Sequence, residues 1–462
     1  MALLERIISY LPEVRGPLQK KLPFSQKLKW TLLILVIFYV LGLIPLFGLG
    51  ENSLQQFEFL SIILGASFGS IISLGIGPLV TASIVLQLLS GTGILKLDLS
   101  SPEGKKKFQG LQKIAGVFFV VLEGAIYVLM GGLAPSAALV GTPLFQQLQL
   151  ILIIQLIVGG LLIMLMDGVV SKWGFGSGLS LFIAAGVAQQ IFIRTFNFLP
   201  SPTNPDIAAG AIPAIFQSIA RGDLTTVTLE LAAIISTLLV FAICVYGQSM
   251  KVEIPLSFGR VRGYGMRWPL NFFYTSNIPV ILVAALLANI QLFAQLLQRW
   301  GHPLLGTFNG STPVSGLVYW LSNPNIVQSI ITGGLTWTQV GQALVYILIM
   351  VVGAIVFSAF WVQTAGMDAK SQAKQILNSG LQIPGFRRDE RVLEKVLNRY
   401  IWPLTIAGGA AIGLLAALAD LTGALSQGTG ILLAVMIVYK LYEEIAKQHM
   451  MDMHPGLRKF ME

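Results

Sequence analysis

Residues 65–69 read Gly-Ala-Ser-Phe-Gly, the spacing in which a sharp turn can present a serine for nucleophilic attack. Such a serine needs a histidine base beside it. The histidines of the chain are His302, His449 and His454, the last two in the C-terminal tail. The pattern should also follow a β-strand, which this apolar segment does not predict. We therefore reject an intramembrane serine protease and interpret these small residues as a helix-packing surface.

The other catalytic and metal-binding patterns are incomplete. The only Gly-Lys pair, Gly104-Lys105, has no glycine five residues before Gly104, so it is not a P-loop. His449 and His454 are five residues apart, which does not place two metal ligands on one helix face. A single cysteine, Cys244, excludes an intrachain disulfide and a cysteine-based metal cluster. The sequence predicts a protein that is not an enzyme and has no cofactor or metal, so a partner must drive any work.

Three polar residues stand out because they interrupt otherwise apolar segments: Thr81, Glu123 and Asn289. A polar group inside a membrane is costly, and a buried glutamate needs hydrogen-bond partners or its neutral form. The three residues could meet in one cluster that joins three helices. The alternative is three unrelated hydrogen bonds between helices.

Two basic loops contain arginines close to glycines. Arg260 and Arg262 lie in the loop 251–269, and Arg387 and Arg388 follow Gly385-Phe386 in a later loop. The planar guanidinium fork recognises phosphate oxygens in a bidentate manner, which lysine cannot do. These loops therefore predict docking to a phosphate-rich partner, unless the arginines serve only as topology signals.

The elements that carry these residues are membrane-spanning helices. The chain has 462 residues, of which 55% are hydrophobic and 11% charged, the composition of a polytopic helical membrane protein. One crossing takes about 20 apolar residues. Residues 1–29 are basic and amphipathic, which predicts an interfacial helix and an extended arm. The ten predicted spans are 30–47, a broken second span within 57–90 that ends near residue 89, 114–133, 148–166, 179–199, 228–246, 278–297, 340–362, 402–418 and 431–442.

The distribution of basic residues predicts the orientation of these spans. The N-terminal arm, the even-numbered connections and the tail hold 27 of the 30 Lys and Arg residues. The exceptions are Arg194, Arg221 and Arg299. By the positive-inside rule both termini are cytoplasmic.

Four spans begin at an interruption rich in Gly or Pro. The stretch 57–90 is too long for one crossing and too short for two, and Gly-Ile-Gly-Pro at 75–78 predicts a half-helix, a break facing a pore, and a helix. Ile-Gly-Pro-Leu-Val of span 2 matches Asn-Ile-Pro-Val-Ile of span 7, and Gly-Ser-Gly-Leu of span 5 matches Gly-Thr-Gly-Ile of span 10. An offset of five spans reverses the orientation of the second copy. The pattern predicts an inverted repeat of five plus five spans with the functional site at the breaks.

The side chains just past the breaks are aliphatic, whereas an ion or solute site would place acids, amides or carbonyls there. A narrow apolar ring excludes water yet can yield to a bulky passenger. Ordinary core packing is the alternative. The predicted ring consists of Ile76, Val80, Leu179, Ile183, Ile281 and one of Leu432 and Leu433.

Longer motifs carry a family resemblance. They are Pro-Glu-Val at 12–14 before the Lys-Trp that opens span 1, GIGPLVTASIVLQLL at 75–89, GSGLSLFIAAGV at 176–187, VEIPLSFGRVRG at 252–263, YTSNIPVIL at 274–282 and Gly-Thr-Gly at 428–430. Over essentially its whole length, the sequence resembles the SecY family of protein-conducting channel subunits, in its archaeal and eukaryotic branch. Leu179 departs from the isoleucine that is frequent at that ring position, a change of shape more than of polarity.

The resemblance implies roles for the candidate residues. The aliphatic ring would be the pore constriction, and spans 2–3 against spans 7–8 would form a lateral gate into membrane lipid. The loop arginines would dock the ribosome. Expected partners are a SecE-type gamma subunit, a small beta-type subunit, and signal sequences and nascent chains. The start of span 2, residues 57–68, would be a plug with the apolar residues Phe57, Leu60, Ile63, Leu64 and Phe68.

Together these observations predict an all-α polytopic membrane protein with ten helices in two inverted halves around an hourglass pore. It would be a passive protein channel in the cell membrane. The alternative is an inverted-repeat secondary transporter, which would need a polar substrate site at the breaks. The expected regions are an arm at 1–29, an N-terminal half at 30–200, an external loop at 201–227, a C-terminal half at 228–445 with cytoplasmic loops 248–272 and 366–400, and a tail at 446–462.

Overall fold

The computed structural model describes residues 14–17, 22–52, 67–91, 94–95, 102–201, 207–258, 265–276, 278–309, 312–378, 381–382, 389–426 and 428–453. In chain order its helices are α1 Phe24–Leu43, α2 Gly77–Gly91, α3 Pro102–Leu129, α4 Pro143–Trp173, α5 Gly178–Phe196, α6 Ala211–Arg221, α7 Leu224–Ser249, α8 Ile278–Arg299, α9 Leu317–Leu321, α10 Ile326–Ile331, α11 Trp337–Thr364, α12 Ala369–Asn378, α13 Glu390–Leu421 and α14 Gly428–Met453.

Each predicted span corresponds to one of these helices. In the described part of the chain, eight helices are long and apolar enough to cross a bilayer: α1, α3, α4, α5, α7, α8, α11 and α13. The predicted second and tenth spans correspond to α2, a shorter helix of 15 residues, and to α14. The all-α polytopic architecture is confirmed, whereas the count of ten crossings stays a prediction.

Several helices extend past the predicted spans, because apolar run length does not detect an amphipathic extension. The predicted ninth span covers 402–418, but α13 begins at Glu390, and its added turns bury Leu393 and Leu397 against α12. The predicted external loop 201–227 contains the helix α6, which ends at Gly222 with φ of +76°. Of the predicted N-terminal arm, residues 14–17 and 22–29 are described, and α1 already begins at Phe24.

The two halves meet along two lines. Along the first line, α2 packs on α3 of its own half and also contacts α8 and α11 of the second half. On the other line, α5 packs on α14, which also packs on α7 and α13. The helices with interrupted starts therefore lie against each other, span 2 beside span 7 and span 5 beside span 10. A single large cluster of buried apolar side chains fills this centre.

Among the described residues, three small antiparallel sheets lie in the connections. The strands are β1 Glu51–Asn52, β2 Leu133–Ala134, β3 Lys251–Phe258, β4 Gly265–Asn271, β5 Gly306–Asn309, β6 Thr312–Gly316 and β7 Leu381–Gln382. β1 pairs with β2, and β5 pairs with β6. The third sheet has the order β4-β3-β7, so it joins the loop before α8 to the loop between α12 and α13.

Candidate functional site

The predicted break before α2 is present. Residues 67–76 form turns rather than helix, and α2 begins at Gly77, so Pro78 falls in the first helical turn where its missing N–H is harmless. The backbone N–H of Ile71 donates to the carbonyl of Ile44 (3.0 Å), and the N–H of Gly69 donates to the Ser73 hydroxyl (2.9 Å). These bonds satisfy backbone groups that have no helical partner.

The break is pressed against α4. A Cβ added to Gly159 of α4 would lie 1.8 Å from the carbonyl oxygen of Ile71, so only a glycine permits this approach. The side chains of Ile72, Leu74 and Ile76 are each at most 1% exposed. Irregular backbone at this depth is thus buried in protein, the condition that a membrane imposes.

The three polar residues lie in one hydrogen-bonded cluster, which we call the polar triad: Thr81 on α2, Glu123 on α3 and Asn289 on α8. The Thr81 hydroxyl donates to Oε1 of Glu123 (2.9 Å), and Nδ2 of Asn289 donates to the Thr81 oxygen (2.9 Å). The hydroxyl is also 2.9 Å from the carbonyl oxygen of Gly77. Thr81 is therefore the bridge, and Asn289 reaches Glu123 only through it.

The triad lies in an apolar environment, since Glu123 is 1% exposed and Asn289 is 7% exposed. The second carboxylate oxygen of Glu123 has no hydrogen-bond partner among the described residues. Each hydrogen bond in such a site costs more to break than the same bond in water. The triad joins α2 and α3 of the first half to α8 of the second half.

The predicted ring residues all belong to the central apolar cluster. Six of them are at most 5% exposed, and Leu179 is partly buried beside them. Four helices or helix starts supply these side chains. The buried six are Ile76, Val80, Ile183, Ile281, Leu432 and Leu433.

A cavity of about 760 Å³ reaches this apolar centre from one side. Lys113, Lys172 and Lys440 contribute to its wall, so it lies on the predicted cytoplasmic side. The wall contains polar side chains from α2, α3 and α4, namely Ser83, Gln87, Gln112 and Asp167, and also the ring candidates Val80, Leu179 and Ile281.

Two ring candidates stand one helical turn beyond the cavity. Val80 and Leu179 lie at the cavity wall, and the deeper residues are Ile76, four before Val80, and Ile183, four after Leu179. At this spacing the deeper residue of each pair lies on the same side of its helix as the residue at the wall. Both deeper residues are at most 1% exposed. A cavity with some polar side chains in its wall thus reaches aliphatic side chains, with a second layer of them behind.

Most of the predicted plug lies outside the described residues. Phe57, Leu60, Ile63 and Leu64 belong to the range 53–66, which the structure does not describe. Phe68 is described and packs, partly buried, against a second apolar cluster formed mainly by α3, α4 and α8.

The four predicted docking arginines also lie outside the described residues, in 259–264 and 383–388. The flanking strands are described. Ser257 of β3 pairs with Gln382 of β7, and Phe258 pairs with Leu381. The segment 259–264, with Arg260 and Arg262, begins directly after Phe258, and the segment 383–388, with Arg387 and Arg388, begins directly after Gln382. One sheet therefore holds the bases of both loops together.

Sequence reasoning missed this sheet and the small core beneath it. Tyr274 donates a hydrogen bond to the carbonyl of Met367 (2.7 Å), which fixes the loop before α8 to the start of α12. Alternating Val252, Ile254 and Leu256 are a signal that indicates a strand, although Pro255 is unfavourable inside one. β3 has a paired strand on each side, yet Pro255 is tolerated there. The reason is that β7 pairs only with Ser257 and Phe258 and does not reach Pro255.

Comparison with known proteins gives one consistent result. The SecY family profile matches residues 70–442, and a profile described as the plug domain of Sec61p matches residues 36–69, which include the predicted plug. The protein translocase subunit SecY of Methanothermobacter thermautotrophicus is 46% identical over 461 residues, covering 99% of this chain and 98% of the relative.

Solved structures agree with this result. A structure described as that of a protein conducting channel superposes with a TM-score of 0.83 at 39% identity, covering 98% of this chain and 99% of that chain. Sec61 in a canine ribosome-channel complex from the endoplasmic reticulum superposes with a TM-score of 0.79, also at 39% identity and with the same coverage.

Proposed function

Because this chain belongs to the SecY family, we propose that it is the central channel-forming subunit of a Sec protein translocase. It passes unfolded polypeptides across the membrane and releases transmembrane segments sideways into lipid. It hydrolyses nothing itself, and its partners supply the driving force.

The observation that carries this proposal is the cavity that ends in aliphatic side chains. Val80, Leu179 and Ile281 come from three helices, and Ile76 and Ile183 stand one turn deeper. A narrow apolar constriction expels water and so blocks ions without a charged barrier. It also holds a passing polypeptide through no specific hydrogen bond, which suits a channel with many substrates.

The seam formed by α2 and α3 against α8 and α11 is the proposed lateral gate. α2 contacts α8 and α11 directly, and the polar triad bridges the same seam. A signal segment that enters the seam must break these contacts and replace them with its own apolar surface. The triad therefore sets how hydrophobic that segment must be.

The sheet β4-β3-β7 supports the proposed ribosome docking. It brings together the bases of two loops that carry Arg260 and Arg262, and Arg387 and Arg388. Four guanidinium groups on neighbouring loops would suit the phosphate backbone of ribosomal RNA. A cytoplasmic ribosome requires the orientation in which both termini are cytoplasmic, and a cell membrane is the proposed location.

Two small subunits complete the proposed assembly. A SecE-type gamma subunit would clamp the two halves, and a small beta-type subunit would join it. The division of the chain into halves at about residues 30–200 and 228–445 is part of the same proposal, with residues 57–68 as the plug.

Reconstitution tests the proposed function. The chain is purified with its small subunits, placed in lipid vesicles, and given ribosomes that carry a nascent secretory protein. We expect the nascent chain to become protected from added protease inside the vesicles. Vesicles that bind ribosomes but protect no polypeptide would contradict the proposal.

A further inference from the structure

The start of α5 is held by a carboxylate from the preceding helix. Oδ1 of Asp167 on α4 accepts the backbone N–H of Leu179 (3.0 Å) at the start of α5. A Cβ on Gly178 would lie 2.7 Å from the Cα of Asp167, so the glycine lets the two helices approach this closely.

The start of α14 is held in the same way. Oδ1 of Asp420, near the end of α13, accepts the backbone N–H of Thr429 (2.6 Å), and its Oδ2 accepts the Thr429 hydroxyl. The Tyr346 hydroxyl of α11 donates to Oδ2 as well (2.6 Å). Asp420 and Tyr346 are each 4% exposed, so this cap is fully inside the protein.

The two caps are equivalent under the inverted repeat. α4 and α5 are spans 4 and 5, and α13 and α14 are spans 9 and 10, so each aspartate precedes its capped helix by one span at an offset of five. Both capped helices begin at a Gly-x-Gly motif: α5 starts at the last glycine of 176–178, and α14 starts at the first glycine of 428–430. Neither aspartate lies on the helix that it caps, so each one fixes the start of one helix relative to its neighbour.

Both capped helices carry ring candidates within their first turns. Leu179, whose own N–H is bonded, and Ile183 are on α5, and Leu432 and Leu433 follow Thr429 by three and four residues. A carboxylate at a helix N-terminus satisfies free N–H groups and is favoured by the helix dipole. Without it the first turn can fray or shift, and the ring side chains move along the pore axis.

We propose that Asp167 and Asp420 are a symmetry-related pair of positioning residues that set the height of the ring side chains in the pore. This inference rests on the proposed channel function. The carboxylates need not touch the passing polypeptide; they act through the helix starts that they hold.

Ion conductance of the resting channel in planar bilayers tests this pair. Asp167→Ala should leak several-fold more ion current than the wild type, whereas Asp167→Asn, which keeps an oxygen acceptor for the Leu179 N–H, should restore most of the seal. The matched control is Asp223→Ala. Asp223 caps α7 by accepting from the N–H groups of Thr225 (3.2 Å) and Thr226 (3.3 Å), but α7 carries no ring candidate. This control should stay as tight as the wild type.

The second half gives an independent test. Tyr346→Phe leaves the Asp420–Thr429 cap in place and should stay tight, whereas Asp420→Ala should leak. If Asp420→Ala does not fold, the more accessible Asp167 decides alone. Asp167→Ala as tight as Asp223→Ala, or Asp167→Asn as leaky as Asp167→Ala, would overturn the inference. The same protein preparations are also placed in lipid vesicles and assayed for polypeptide translocation, so a wild type that moves no polypeptide refutes the channel function instead.

Discussion

Thr81 is the residue on which the polar triad depends. Its hydroxyl contacts Glu123 and accepts from Asn289, so it lies in both bonds that cross between helices. The residue types and their apolar surroundings allowed a cluster to be predicted from sequence. Which member is the bridge could not be predicted, because it depends on the rotation of α2, α3 and α8 about their axes.

The bridge leads to a prediction about signal segments. Thr81→Val keeps the shape of the side chain but removes the triad bond across the seam, to Asn289, and also the bond to Glu123 within the first half, whereas Asn289→Leu removes only the bond across the seam. Leaving a buried polar group without a partner costs about 1–3 kcal/mol. We expect both variants to destabilise the closed seam, Thr81→Val more strongly, so that less hydrophobic signal segments insert. The measurement is insertion efficiency across a series of segments of graded hydrophobicity.

Ser83→Ala is the matched control for this series. The Ser83 hydroxyl accepts from Gln112 (2.6 Å), a bond between α2 and α3 that stays within the first half. Its removal should leave the hydrophobicity threshold unchanged. Equal thresholds for all three variants and the wild type would refute the triad as a latch.

Among the elements, the sheet β4-β3-β7 leads to a prediction about ribosome binding. Reversing the charges of Arg260 and Arg262 should weaken binding and reduce its dependence on salt. The slope of log affinity against log salt becomes shallower by about 0.7–0.9 for each phosphate that the protein no longer neutralises. The same outcome is expected for Arg387 and Arg388. Sedimentation of ribosomes with the purified complex at several salt concentrations measures both quantities.

A control with the same change of charge comes from the base of the same loop. Lys251 pairs with Glu443 (3.4 Å) and Arg267 pairs with exposed Glu253 (2.9 Å), and exposed pairs of this kind contribute little to stability. Lys251→Glu combined with Arg267→Glu should therefore weaken ribosome binding much less than the same changes at Arg260 and Arg262. If base and tip variants weaken binding equally, the arginines act only through net charge.

The elements also show where sequence reasoning ends. The centre of each predicted span except the broken second one lies in a helix, because burial in lipid requires an apolar run of the right length. The first turns of α13 were missed since only Leu393, Leu397 and similarly spaced residues are apolar there. The capping role of Asp420 was missed because this aspartate lies on the preceding helix, nine residues before Thr429, and not at the residue just before the helix that it caps.

For the whole molecule, the orientation can be tested directly. Ser136 and Lys106 are exposed near opposite ends of α3, and the only cysteine, Cys244, is buried and can be replaced. With single cysteines at these positions, an impermeant thiol reagent added outside intact cells should label position 136 and spare position 106. Labelling of position 106 alone would mean that the chain has the opposite orientation.

The inverted repeat is a property of the whole molecule that the sequence did reveal. Its evidence lay in four interrupted helix starts, and the structure places those helices together in pairs. The sequence could not show how the cavity meets the ring, because that depends on how deep in the membrane each helix begins after its break.

The central claim is that the aliphatic ring seals the pore, and single-channel recording in planar bilayers tests it most directly. Ile183→Asn combined with Ile281→Asn places polar groups where the cavity ends, so water and ions should enter and the resting channel should conduct. Deletion of residues 57–68 should add to this current. The double variant Ile183→Leu and Ile281→Leu keeps the apolar volume and should stay as silent as the wild type. An Asn double variant that is equally silent, in a preparation that still translocates polypeptide, would contradict the claim.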